Sequence, residues 1–317
     1  MIQIALIGLG AGAAAALLFA SIASGSLLSV ILFYLAPLPI MIAAIGWAHW
    51  AGLVAALGAA VTLGTIFGGV FLLGFLTSAG LPAWWLSYLA MLSRSSSDNT
   101  ADIEWYPPGR LAVWAAALAA SFVGMAILTF GTDYEAFRTG LAATVERFIA
   151  LQSSDGSLVP GESHKQFTDL LVAAIPPTAA SVTTITLIVN LGLAARIVKF
   201  SGLLHRPWPD LTAMTFPLLA AIALAIAAVA SFFGGLVGVI ASAITAALLM
   251  AFGVLGFAVL HTLTRGINAR PFVLGAAYGA VIVFGWPILA LCLLGLAETA
   301  FRVRARLAPK ASPPAPH

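Results

Sequence analysis

The chain has 317 residues, of which 62% are apolar and 8% charged, and its mean hydropathy is +1.07. A soluble domain carries about 25% charged residues, so this composition excludes a water-soluble globular protein. No Asp, Glu, Lys or Arg occurs from Met1 to Ser93. Repeated apolar runs predict an all-α, polytopic integral membrane bundle of about eight to ten transmembrane helices at about 20 residues each, plus one amphipathic surface helix. Residues 1–301 form its single transmembrane domain.

The net charge of +3 and the pI near 9.3 arise from Lys and Arg beside the membrane spans. We therefore expect a lipid bilayer as partner and no nucleic acid. Cys292 is the only cysteine, which excludes an intrachain disulfide and a cysteine-based metal site. No metal site and no cofactor are expected.

A row of small residues marks the first predicted span, residues 4–23. Gly8, Gly12, Ala16 and Ala20 recur every four residues and leave one helix face without large side chains. Such a face lets a second helix approach closely. Two interpretations remain open, a docking face for another membrane protein and ordinary packing.

Spans two to five bring in prolines and aromatic residues. Pro37 and Pro39 predict a bend in the second span, residues 27–45, because proline removes backbone donors. Trp47 follows at the position of an interfacial aromatic belt. Residues 50–92 fit two spans and include Trp84, and a polar loop at 93–110 precedes the fifth span, residues 111–131.

The segment 132–169 is the largest polar stretch. Thr132 and Glu135 have the spacing of a capping box that begins a helix. An apolar stripe at helical spacing follows and predicts an amphipathic helix on the membrane surface or over the bundle. The stripe consists of Tyr134, Phe137, Leu141, Val145 and Phe148.

The sixth span, residues 170–195, carries the principal candidate site. Thr183, Thr186 and Asn190 share one helical face, and an unpaired amide in hydrocarbon costs several kcal/mol, so this face points into the bundle. Either the three side chains tie helices together, or they line a ligand pocket covered by the amphipathic helix. In the second case aromatic residues supply walls for a flat, weakly polar ligand, namely Tyr34, Trp47 and Trp84.

The remaining apolar runs are residues 211–232, 236–260 and 272–301. Counting Lys and Arg by the positive-inside rule puts the N-terminus in the cytoplasm of a bacterial inner membrane. A tail that is also cytoplasmic requires the last run to break at Pro287 into a shallow hairpin. The tail, residues 302–317, is basic and Pro-rich and is predicted to be disordered.

Three stretches resemble the YybS-like family of uncharacterised bacterial membrane proteins. They are Leu38-Pro39 with the Gly-rich third span, Asn190-Leu191 followed by Gly202 and prolines 207, 209 and 217, and the terminal 295–304 segment. The sequence departs from that family at Glu298, where Asp is usual, and at Arg302, where another acid is common. The family is distantly similar to the S components of energy-coupling-factor transporters and to the rod-shape protein MreD. The resemblance therefore implies either small-molecule capture or a morphogenetic scaffold.

The spans contain almost no ionisable residue, so we expect no enzyme and no carrier driven through buried carboxylates. A small-molecule-binding transport component needs no buried charge and is the preferred hypothesis. The alternative is a non-catalytic scaffold for cell-envelope assembly.

Overall fold

The computed structural model describes residues 1–95, 103–152 and 162–307. Within these ranges seven segments are long and apolar enough to cross a membrane, and three shorter apolar helices follow the sixth or the seventh of them. The all-α polytopic bundle is thereby confirmed. The helices before the first polar loop are α1 (Ile2–Ala20), α2 (Leu27–Tyr34), α3 (Pro37–Gly46), α4 (His49–Phe67), α5 (Gly69–Phe75) and α6 (Leu81–Ala90).

A short antiparallel ladder of β1 (Ser93–Ser95) and β2 (Ile103–Trp105) lies in the first polar loop. The remaining helices are α7 (Pro108–Phe130), α8 (Tyr134–Gln152), α9 (Glu162–Phe200), α10 (Leu218–Ala230), α11 (Gly235–Leu263), α12 (Arg270–Phe284), α13 (Ile288–Phe301) and α14 (Val303–Leu307). Helices α2 with α3, and α5 with α6, each make one interrupted span.

Helix α9 is the central element of the bundle. Its Leu187, Ala194 and Val198 belong to a buried cluster with α1, α3, α4 and α6. Its Val172 and Ala180 belong to a second cluster with α7, α8, α10 and α11. A long helix with several apolar faces is buried on more than one side, so α9 joins the two halves of the chain.

The interruption between α2 and α3 confirms the bend predicted from the prolines. Helix α2 ends at Tyr34, and α3 begins at Pro37, which has no backbone N–H to donate. The amide of Leu38 bonds to the carbonyl of Leu35 at 3.0 Å. The carbonyl of Tyr34 therefore accepts no backbone hydrogen bond, and a side chain must supply its donor.

The predicted hairpin in the last apolar run is also observed. Helix α12 ends at Gly285, which has a φ of 72°, and Pro287 precedes α13. The thiol of Cys292 donates to the carbonyl of Leu249 near the middle of α11, at 3.0 Å. A side chain on Gly256 would lie 1.9 Å from the carbonyl oxygen of Leu291, so only glycine permits this close packing. The hairpin thus starts and ends at the same end of α11 and reaches only part of its length.

Three local predictions are corrected. Helix α8 is amphipathic as predicted, but Asp133 rather than Thr132 caps it, accepting from the amide of Ala136 at 2.8 Å. The predicted span at 211–232 shortens to α10, since Pro217 ends an irregular segment directly before it. In the tail, residues 303–307 form α14 instead of being disordered, and residues 308–317 lie outside the described residues.

Candidate functional site

The polar stripe of α9 lies beside a cavity of about 530 Å³ that we call the tyrosine cavity. Tyr34, Thr183 and Thr186 line it together, as predicted. Most of the remaining wall is apolar and comes from α1, α2, α5, α7 and α9. A mainly apolar concave surface with a few polar groups is the usual form of a small-molecule site.

Asn190 lies next to this cavity and links α9 to the end of α2. Its side-chain nitrogen donates to the carbonyl of Tyr34 at 2.9 Å and to that of Thr186 at 2.8 Å. These two carbonyl oxygens fix the orientation of the side-chain amide. Its nitrogen must face them, because the amide oxygen would be repelled in that position. The side chain therefore satisfies the carbonyl that Pro37 leaves free. The side-chain oxygen of Asn190 is buried without a hydrogen-bond partner among the described residues.

The two tryptophans predicted for this site do not line the tyrosine cavity. Trp47 is 44% exposed at the end of α3, and Trp84 packs with Tyr88, their ring centroids 6.3 Å apart. The predicted cover is not observed either: among the α8 residues whose side chains the structure describes, none lines this cavity. Helix α8 instead packs on α9 through an ion pair of 2.7 Å between Arg138 and Asp169, which raises the pKa of Arg138 chiefly through its hydrogen bond to Asp169.

The small-residue face of α1 is occupied by the same chain. A side chain on Gly8 would meet the carbonyl oxygen of Ala51 at 2.8 Å, and one on Gly12 would meet that of Ala55 at 2.7 Å. Both glycines and Ala16 are buried, and Ala20 is half-buried. The close approach was predicted correctly, but the approaching helix is α4. A separate membrane protein therefore has no access to this face.

A second cavity, of about 440 Å³, lies under the segment that links α9 to α10. We call residues 201–217 the connector and this space the connector cavity. Its walls come from α3, α6, α7, α9, α11 and α12, and the connector contributes Leu204, Trp208 and Met214. The contacts of the connector with helices distant in sequence were not visible in the sequence.

Few polar groups reach the connector cavity. Nε2 of His261 and the hydroxyl of Tyr278 are 3.1 Å apart and form a hydrogen-bonded pair at its wall. Arg206 also contributes to the wall, but its guanidinium is engaged, donating to the carbonyls of Ala90 at 2.7 Å and Tyr106 at 2.9 Å. Burial lowers the pKa of Arg206 from its ordinary value, although arginine stays protonated in proteins.

A buried ion pair holds the other end of the connector. Nε of Arg304 lies 2.9 Å from Oε1 of Glu298, with the two side chains 11% and 7% exposed. The guanidinium of Arg304 also donates to the carbonyl of Met214 at 2.7 Å and to that of Thr212. The terminal segment that carried the family resemblance therefore holds α13 and α14 against the connector.

Taken together, the fold and its two cavities define a polytopic helical membrane protein with space for small molecules. The chain belongs to the family described as "Predicted membrane protein (DUF2232)", whose match covers residues 13–299. No curated protein and no solved structure matches the chain. The predicted membership in an uncharacterised membrane-protein family is confirmed, whereas the likeness to YybS, S components and MreD stays a prediction.

Proposed function

We propose that this protein binds a small molecule within its helical bundle, without catalysis, as the substrate-binding component of a membrane transport system. The connector cavity carries this proposal. It lies at the meeting point of helices from both halves of the chain, and the connector that covers it is fixed by arginines at both ends. A mostly apolar cavity of this volume is within the usual range of small-molecule sites, about 300–1,000 Å³.

The lining indicates an apolar ligand with one polar group. Its walls are mainly Leu, Ile, Ala, Met and aromatic side chains, which favour a hydrocarbon body. The His261–Tyr278 pair provides a donor and an acceptor for one hydroxyl, carbonyl or amide group. Arg206 already donates to two backbone carbonyls, so a strongly anionic ligand is less well matched.

The small-residue face of α1 supports neither hypothesis. It was a possible docking face for a transport partner as well as for a scaffold, and α4 of the same chain covers it. The sequence-based orientation remains part of the proposal, with the protein in a bacterial inner membrane and its N-terminus in the cytoplasm. The connector cavity then lies towards the cytoplasmic side, because Arg196 and Lys199 at the end of α9, with Arg206 in the connector, are among the bases that the positive-inside rule places there.

Photolabelling in native membranes tests binding with a general apolar probe in place of the natural ligand. A diazirine-bearing fatty alcohol is the probe, and we expect it to label cavity peptides that contain Met91 and Met214. Gly192 lies at the exposed edge of this cavity, and a Cβ added there would have no atom within 4 Å, so we expect Gly192→Phe to narrow the cavity without a backbone clash. Labelling should fall to background in this variant.

Gly10→Phe is the matched control. Gly10 is exposed on α1, lines neither cavity and also has no atom within 4 Å of an added side chain. It should leave the labelling unchanged. Labelling that is equal in both variants, or absent from the cavity peptides of the unaltered protein, contradicts the proposal.

A further inference from the structure

A polar cavity of about 750 Å³ lies at the end of the bundle where α11 and α13 end and α10 begins. Its walls come from the connector, the first residue of α10, the ends of α11 and α13, and α14. We call it the arginine cavity, because Arg265, Arg302 and Arg304 line it. Asp210 and Glu298 line it too, so three cations face two carboxylates and one positive charge is left over.

The two carboxylates already have basic partners. Glu298 forms the buried ion pair with Arg304, and its Oε2 also accepts from the backbone amide of Arg304 at 2.9 Å. Asp210 lies 3.8 Å from Arg265, whose side chain is 54% exposed. The excess positive charge therefore belongs to Arg302.

Arg302 has an unusual backbone conformation at the exposed edge of this cavity. It follows the last residue of α13 with a φ of 52°, and in the described part of the chain no other residue except glycine has a positive φ. Glycine is the usual residue at such a helix end, because a side chain is disfavoured there. The guanidinium of Arg302 makes no hydrogen bond or ion pair with the described residues. An unpaired guanidinium at a position that favours glycine indicates a role for the side chain.

The arginine cavity continues into an apolar stripe on α10. Leu218 lines the cavity and is 60% exposed, and Ile222 and Ile226 follow it with exposures of 46% and 65%. Residues four apart share one helix face, so the stripe runs from the cavity along α10. In a membrane, such a face contacts acyl chains. The cavity and the stripe together match the two parts of a phospholipid, a charged headgroup and an acyl chain.

We propose that the arginine cavity binds the phosphate of an anionic lipid headgroup, with one acyl chain along the stripe of α10. Arg302 and the exposed guanidinium of Arg265 donate to the phosphate oxygens, because planar guanidinium groups match phosphate geometry. Basic pockets between membrane helices on the cytoplasmic side are typical headgroup sites. The positive-inside rule places Arg265 on that side. This site is independent of the ligand of the connector cavity.

Lipid retention tests the site on the full-length protein in detergent. The probes are phosphatidylglycerol and phosphatidylcholine with identical acyl chains, and native mass spectrometry measures the fraction of protein that carries each lipid. Both lipids have the phosphate, but the choline cation is repelled by the arginines, so we expect tighter binding of phosphatidylglycerol. Arg302→Gln should weaken that binding about fivefold, the change given by the ~1 kcal/mol that one basic residue contributes beside anionic lipids.

Arg306→Gln is the matched control. Arg306 is exposed on α14, where its guanidinium lies over the ring of Phe301, and it does not line the cavity. Its substitution should leave the binding unchanged, which separates the cavity from a general attraction of basic residues to anionic lipid. Arg302→Gly is the second variant, because glycine favours the backbone conformation found there. It should weaken binding as much as Arg302→Gln, with a thermal unfolding midpoint that is unchanged or raised.

A soluble phosphate compound presents the same chemistry without acyl chains. Glycerol 3-phosphate, added in excess over the lipid, should therefore not displace phosphatidylglycerol. The lipid site is overturned by such displacement, by equal retention of the two lipids, or by equal effects of Arg302→Gln and Arg306→Gln. Photolabelling tests the connector cavity separately, so the failure of the lipid site would leave the proposed function in place.

Discussion

Replacing Asn190 by leucine tests how the interrupted second span is held. The substitution keeps nearly the same volume but removes the donor to the Tyr34 carbonyl, 2.9 Å away. Pro37 cannot replace that donor, and the amide of Leu38 is committed to Leu35. Hydrogen bonds between membrane helices contribute about 0.6 kcal/mol, and an unpaired buried carbonyl costs about 1–3 kcal/mol. Removing the unpaired oxygen of Asn190 offsets part of this loss.

We therefore expect Asn190→Leu to lower the free energy of unfolding by about 1 kcal/mol. The measurement is the thermal unfolding midpoint in detergent, which should fall by about 2–4 °C per kcal/mol. Thr184→Val is the matched control on the same helix. Thr184 is fully buried, and its hydroxyl donates only within α9, to Ala180 at 2.7 Å. Its substitution should have a smaller effect.

Equal midpoints for Asn190→Leu and Thr184→Val would refute the structural role of the amide. Photolabelling separates this role from ligand binding. A purely structural amide predicts lower stability with the labelling retained. Lost labelling with unchanged stability would instead make Asn190 a ligand contact.

Three further predictions concern packing, charge and topology. Gly12→Leu should destabilise the protein by about 1–3 kcal/mol, measured by thermal unfolding, because its side chain would collide with the backbone of Ala55. Glu298→Gln should cost less than Arg304→Met, since the latter leaves a buried carboxylate unpaired, for which the cost is about 3–5 kcal/mol. The double variant should recover part of the loss of Arg304→Met in the same assay. With Cys292 replaced by serine, Ser312→Cys should react with a membrane-impermeant thiol reagent from the cytoplasmic face. Reaction from the periplasmic face would contradict the predicted topology.

Local sequence was sufficient for the class and for several elements. Apolar runs and missing charges identified the membrane bundle, because no other environment accepts such a surface. Proline, which lacks a backbone donor, located the breaks before Pro37 and Pro287. The amphipathic stripe of α8 followed from helical spacing alone.

Predictions about what a helix face contacts were less successful. The row at Gly8 and Gly12 correctly predicted close approach, but spacing within one helix carries no information about the identity of its neighbour. Trp47 and Trp84 were grouped with the Thr183 stripe by residue type, and the fold places them outside the tyrosine cavity. Aromatic character does not specify which wall a side chain joins.

The sequence by itself determined the membrane environment, the interrupted helices and the inward orientation of the Asn190 face, since each depends on the chemistry of nearby residues. Only the tertiary structure decided that α4 covers α1, that the connector covers a cavity, and that Arg304 reaches Thr212 and Met214. The physical reason is the range of the contacts. In lipid, apolar side chains gain little by choosing one apolar neighbour over another, so helix pairing depends on detailed shape and on a few hydrogen bonds between residues far apart in the chain.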